Sequence, residues 1–163
     1  MSVRQQSAWH AFCYIKGEQP LIPTDMLTIT DFTTDREHLS DLLSVATYGN
    51  EWPVIKPFKS DAEKGLFEDC ECREDKWATA LLSGKGVMLY DLYDENVDED
   101  IEDIKEFPKE AKHHLTIENI RKGLELMRDQ YPRHYADLVE EEDDAITGDV
   151  WLQLAVFGEL VYG

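Results

Sequence analysis

Apolar residues recur along this chain at two periods, and the switches between them mark its elements. Leu39, Leu42, Leu43 and Ala46 stand three and four apart, which puts them on one face of a helix that Gly49 ends. Thr34 and Glu37 have the spacing of a capping box at its start. Ahead of it, residues 26–32 are rich in apolar and β-branched side chains and predict a strand running straight into that helix. Val87, Met88, Leu89 and Tyr90, followed by Leu92, form a nearly continuous apolar run, the pattern of a central strand. In the second half the helical period dominates. Ile117, Ile120, Leu124 and Met127 make a stripe behind a capping Thr116, with Leu115 placed to staple onto Ile120. Pro132 is placed to start a further helix through Leu138 and Val139. Val150, Leu154, Phe157 and Val161 then align in a C-terminal helix capped by Thr147 or Asp149, with Trp151 and Ala155 widening its apolar face.

The stretches between these elements carry weaker signals. Residues 1–25 combine an apolar run from Trp9 to Ile15 with Gly17, Pro20 and Pro23, and read as a strand or short helix followed by an irregular connection. Residues 50–60, with Trp52, Pro53, Pro57 and Phe58, predict an irregular connection pinned by aromatics. Ser60 and Glu63 repeat the capping spacing before a short helix from residue 61, and residues 75–82 read as a helix with Trp77, Ala80 and Leu81 on one side and Gly84 as its stop. No repeat or long linker divides the chain. The pattern predicts an α+β fold, a small sheet packed with several helices and helix-rich in its C-terminal half, as a single acidic globular domain over residues 1–163.

Charge changes this picture most. The chain has 35 acidic against 16 basic residues, net −19, and the excess is concentrated. Residues 91–110 hold ten acids against two lysines, and residues 137–149 hold seven acids and no base. Val97, Ile101 and Ile104 stand at helical spacing within the first of these, which predicts a short amphipathic helix with a carboxylate-covered outer face; Glu140 to Asp144 predicts a loop. Duplex DNA carries one charge per about 1.7 Å, so 19 charges correspond to roughly 32 Å of duplex, close to the width of a domain this size. The charge density is therefore DNA-like, and direct nucleic-acid binding is disfavoured. Apolar content of 42% with four Trp and seven Tyr marks a chain that folds despite its charge.

Candidate chemistry is sparse. Asp94, Asn96, Asp98 and Asp100 fall at the alternating spacing of a calcium loop, but Glu99 stands where glycine is required and Lys105 where a bidentate glutamate is required. Cys13, Cys70 and Cys72 are an odd count, and Cys70 and Cys72 are too close for an easy disulfide, so reduced thiols are expected; neither His10 nor the His113-His114 pair completes a zinc spacing. His113 and His114, just before a helix cap, read as solvated side chains. No nucleophile elbow, Walker loop or dinucleotide turn is present. No catalytic residue, metal or cofactor is assigned. No window of about 20 apolar residues and no apolar leader occurs, so a cytoplasmic protein without membrane contact is expected.

The last third of the chain, through Tyr131-Pro132-Arg133-His134-Tyr135-Ala136-Asp137-Leu138 and Asp149-Val150-Trp151-Leu152-Gln153-Leu154-Ala155-Val156-Phe157-Gly158-Glu159-Leu160-Val161-Tyr162-Gly163, resembles the C-terminal end of small acidic proteins encoded by phages and prophages. The resemblance implies a mobile-element setting in a bacterial host, where small acidic proteins act against restriction or CRISPR machinery. Taken with the charge, it leads to an acidic interaction protein, a DNA mimic whose carboxylates Asp94, Glu95, Asp98, Glu99, Asp100, Glu102, Asp103 and Glu106, together with Glu140, Glu141, Glu142, Asp143 and Asp144, engage the basic surface of a nuclease or CRISPR effector. Tyr93, Trp52 or Phe107 is the expected apolar hot spot. The alternatives are an enzyme or accessory factor with a site built from Tyr48, Trp52, His113 and His134, and a phage structural or assembly protein that self-associates, a homodimer being the simplest form.

Overall fold

The computed structural model describes residues 27–29, 32–98, 103–142 and 144–163. The elements run β1 (Leu27–Ile29), β2 (Phe32–Thr34), α1 (Arg36–Thr47), β3 (Pro53–Pro57), α2 (Lys59–Glu63), α3 (Arg73–Leu82), β4 (Val87–Asp91), β5 (Lys112–Leu115), α4 (Ile117–Gln130), α5 (Pro132–Val139) and α6 (Ala145–Val156), with a 3-10 turn at Ile104–Glu106. The fold is α+β: a three-stranded antiparallel sheet in the order β3-β4-β5, a two-stranded ladder β1-β2, and six helices among the described residues. None of these helices is long and apolar enough to cross a membrane. The expected elements within residues 1–25 lie outside the described residues.

α1, α4 and α5 pack around α6. Of its residues, Thr147, Gly148 and Val150 to Ala155 are buried, so it is covered on every side rather than along one stripe. Its closest approaches are made by glycines. A Cβ on Gly148 would lie 2.7 Å from the Cα of Ala46 in α1, and one on Gly123 in α4 would lie 2.8 Å from the Cα of Ala155. Backbone atoms cannot give way as a flexible side chain can, so each helix crossing depends on a missing side chain. α3 packs on the far side of α1 and also meets β3 and β4. The resulting core runs from Leu39 and Leu43 through Trp77, Leu81 and Leu89 to Leu124, Leu138 and Trp151.

Strand alternation sets which residues the sheet turns inward. Val87, Leu89 and Asp91 of β4 are buried on one face, with Met88 and Tyr90 on the other. The register pairs Leu89 with Ile55 and His113, Val87 with Leu115, and Asp91 with Pro53, so Asp91 and His113 belong to the inward rows. β4 is central, as its apolar run predicts.

Several expectations are corrected. Residues 26–32 do not run straight into α1: the chain doubles back, with Leu27 opposite Thr34 and Ile29 opposite Phe32. The cap of α1 is Asp35, whose carboxylate accepts the His38 N–H at 3.0 Å, not Thr34. Residues 53–57 are a strand rather than an irregular connection. The Leu92 N–H donates to the Trp52 carbonyl at 2.8 Å, which puts the positions bonded to β4 at even numbers and Pro53 and Pro57 at odd ones, where an N–H would point off the sheet edge. His113 and His114, expected as solvated side chains, lie in β5, with His113 half-buried and His114 exposed. No helix follows Val97 in the described part of the first acidic segment: Asp94 to Asn96 is a turn, and Ile104–Glu106 is 3-10. α6 starts earlier than expected, capped by Asp144 accepting the Thr147 N–H at 2.8 Å, and stops at Val156 instead of continuing through Val161, because Gly158 turns the chain at φ +80°. Thr116 does cap α4, in a reciprocal box with Asn119, and Pro132 does open α5.

Substituting Gly148→Ala is expected to cost about 1–3 kcal/mol through overpacking against Ala46. For a chain of this length that lowers the thermal midpoint by roughly 2–4 °C per kcal/mol, read by calorimetry.

Candidate functional site

The inward row of the sheet ends in polar residues, and the C-terminal tail closes over them. Asp91, 2% exposed, accepts the Tyr162 hydroxyl at 2.6 Å on one carboxylate oxygen and the Tyr93 N–H at 3.0 Å on the other. Burial, followed by the hydrogen bond to Asp91, raises the Tyr162 phenol well above its usual range, so it stays a proton donor to that carboxylate. Gln153, a buried polar residue in an otherwise apolar helix face, holds the tail from the other side. Its Oε1 accepts the N–H groups of Val161 (2.8 Å) and Tyr162 (2.7 Å), and its Nε2 donates to the Tyr162 carbonyl (2.9 Å) and to Asp149 (2.8 Å). The other oxygen of Asp149 accepts the Trp52 indole N–H at 2.8 Å. Trp52, Phe157 and Tyr162 meet one another at centroid distances of 5.4 to 5.9 Å, and His113 meets Phe157 edge-on at 5.3 Å.

His113 sits under this lid. Its Nε2 is buried without a hydrogen-bond partner. Burial pushes its pKa below the ordinary histidine value, against the pull of the Asp91 and Asp94 carboxylates. A carboxylate, a phenol and an imidazole in one cluster resemble an acid–base constellation, yet Asp91 and the imidazole Nε2 are enclosed and both Asp91 oxygens are engaged. The cavities described in the chain open elsewhere. One, of about 540 Å³, lies between the start of α1 and the end of α3, lined by Asp35, Arg36, Leu66, Thr79, Leu82 and Ser83; another, of about 430 Å³, borders Pro57, Phe67, Glu68 and Lys76. The cluster's chemistry is attachment: it ties α6, the tail and the sheet together.

The residues of the alternative enzyme site are not brought together. Trp52 and His113 share Phe157 in the closed cluster, His134 bonds the Thr147 hydroxyl through Nδ1 at 2.9 Å, and Tyr48 is 78% exposed at the end of α1. Of the three hot-spot residues, Trp52 and Phe107 are buried, and Tyr93 alone is open to solvent, at 53%.

The candidate acidic residues are placed as follows. Asp94 is half-buried and accepts both the backbone N–H and the side-chain amide of Asn96, at 2.8 and 2.9 Å. Glu95, Asp98, Asp103 and Glu106 are exposed; Asp103 accepts the Lys105 N–H at 3.0 Å and pairs loosely with its ammonium at 4.0 Å. Glu99, Asp100, Glu102 and Asp143 lie outside the described residues. Glu140, Glu141 and Glu142 are exposed and form no ion pair among the described residues, and Asp144 spends its carboxylate capping α6. The Thr147 N–H holds that carboxyl below the usual range. Two further acids of the charged segments, Asp91 and Asp149, face inward and add nothing to a binding surface.

The turn after α5 carries a local strain. The Glu142 N–H bonds the Asp137 carbonyl and the Glu141 N–H bonds the Leu138 carbonyl, which is a Schellman ending, and its left-handed position is Glu141, at φ 57°, where glycine is the usual occupant.

In comparisons with protein-family models, with curated proteins and with solved structures, nothing matches this chain.

Two measurements follow from this geometry. Because folding depresses the His113 pKa, the unfolded chain takes up a proton first, so the residue's contribution is present above about pH 6.5 and is lost as pH falls through the folded value. Wild type is therefore expected to lose stability relative to His113→Phe between neutral pH and pH ~5, measured by urea titration. Glu141→Gly is expected to raise stability by about 1 kcal/mol, through relief of the left-handed strain, in the same assay.

Proposed function

We propose that this protein is an acidic interaction protein that occupies the cationic nucleic-acid groove of a partner, in the manner of a DNA mimic. The observation that carries the reading is the strained turn. Glu141 occupies a left-handed position that costs roughly 1–2 kcal/mol for a residue with a side chain, in a run of three exposed glutamates with no ion pair among the described residues. Solubility alone is served by acids anywhere on the surface, so a carboxylate at a position suited to glycine favours a use for that charge at that place.

One end of each acidic segment lies beside the Glu51-Trp52 pair. Glu51 accepts the Tyr93 hydroxyl at 3.1 Å, at the entrance to the first segment, and its neighbour Trp52 is bonded to Asp149. Asp149 stands five residues into the helix that the second segment leads into, about 7.5 Å along the axis from Asp144. An acidic surface of this kind accelerates encounter with a basic partner and makes binding fall with salt. With the resemblance read from the sequence of the C-terminal third, the proposed partner is a host nuclease or CRISPR-type effector in the bacterial cytoplasm.

The test is affinity capture from a bacterial lysate at low and high salt, with wild type beside the triple variant Glu140→Lys, Glu141→Lys, Glu142→Lys. Nucleic-acid-binding proteins retained by wild type at low salt, released at high salt and lost with the variant are the expected result. Capture that is identical for the two proteins and indifferent to salt overturns the reading.

A further inference from the structure

The one exposed aromatic beside the first acidic segment is held in an unfinished arrangement, and the chain contains the finished version elsewhere. At the start of α3 the Arg73 guanidinium lies over the Trp77 ring, 5.0 Å from its centroid, and its Nε donates to Glu74 at 2.7 Å. Three parts cooperate there: a ring face, a planar cation and a carboxylate that receives the cation's N–H. At Tyr93 two of the three are present. The ring is anchored at its hydroxyl by Glu51, at 3.1 Å, and set perpendicular to Tyr162 with centroids 5.7 Å apart. It remains 53% exposed, and among the described residues no lysine or arginine stands over it.

We infer that Tyr93 with Glu51 is the anchor for an arginine of the partner, whose guanidinium stacks on the ring and donates to the carboxylates beside it. This rests on the acidic-surface reading above and names the chemistry of the partner that surface takes. Glu51 lies at the hydroxyl end of the ring, and Asp94 and Glu95 follow it in the chain, so the charge around the ring is negative. The tail adds apolar surface next to Tyr162: Leu160 is 38% and Val161 51% exposed, suited to cover the methylene stem of a long cationic side chain. Lysine fits less well. Its compact, strongly hydrated ammonium can approach a ring face but cannot lie flat on it, and it presents no two parallel N–H groups to a carboxylate. Arginine-bearing surfaces that hold phosphate backbones offer the group this site lacks.

The probes are hexa-arginine and hexa-lysine peptides, titrated calorimetrically into the full chain at low and high salt. Hexa-arginine is expected to bind roughly five-fold tighter than hexa-lysine, the scale of one half-exposed cation–π contact. Tyr93→Ala is expected to remove that preference, weakening hexa-arginine more than hexa-lysine; Tyr93→Phe, which keeps the ring, is expected to retain it, and thermal melts confirm that both variants fold. If Tyr93→Ala keeps the preference, or if both peptides bind wild type equally with the same salt dependence, the anchor assignment fails and the acidic-surface reading stands. If neither peptide binds in a salt-dependent way, the acidic-surface reading fails and takes the anchor with it.

Discussion

A single carboxamide fixes the C-terminal tail to the body of the fold. Gln153 lies in the most enclosed helix of the protein, where an unpaired polar side chain would cost several kcal/mol, and it meets this demand by bonding the backbone of the tail and the carboxylate of Asp149. The tail is thereby directed back across the sheet, where Tyr162 reaches Asp91. Each group in this chain of bonds is satisfied by the next, and removal of any one would strand a buried donor or acceptor. The helical layer and the sheet are joined by this network as well as by apolar contact between α6 and β5.

That joint also divides the acids into two populations. Asp91 and Asp149 belong by sequence to the charged segments, but their charge serves interior donors: a phenol, an indole, a carboxamide and a backbone amide. Asp144 and Asp103 serve as caps. Among the described residues of the two segments, Glu95, Asp98, Glu106, Glu110 and Glu140 to Glu142 are exposed as well. Formal net charge therefore counts carboxylates of these segments, Asp91 and Asp149, that are turned to interior donors.

Much of the helical structure was legible because its stripes are long and its starts stand at fixed offsets: Leu39 to Ala46 and Ile117 to Met127 became helices with the expected face inside, and Pro132 opened a helix through Val139. The sheet was harder to read. Pro53 and Pro57 mask an edge strand as a connection, and Lys112 to His114 lacks the apolar content of a strand because only one residue of that run, His113, faces inward. The end of α6 was misplaced for a similar reason. Phe157 and Val161 continue the helical spacing, but Gly158 and the pull of Gln153 on the tail outweigh periodicity. The attachment cluster did leave signals: Asp91 extends an alternating buried row, and Gln153 interrupts a run of apolar residues. What the sequence could not convey was that these two polar interruptions answer each other through Tyr162, because that pairing joins positions far apart in the chain.

The two prolines of β3 bear on how this molecule can meet others. Along the outer edge of that strand the outward backbone positions are 53, 55 and 57, and two of the three have no hydrogen to offer. Strand-by-strand polymerisation is thus blocked on that flank. A partner approaching that flank would meet side chains, which discriminate between partners in a way that a bare ladder of amides does not.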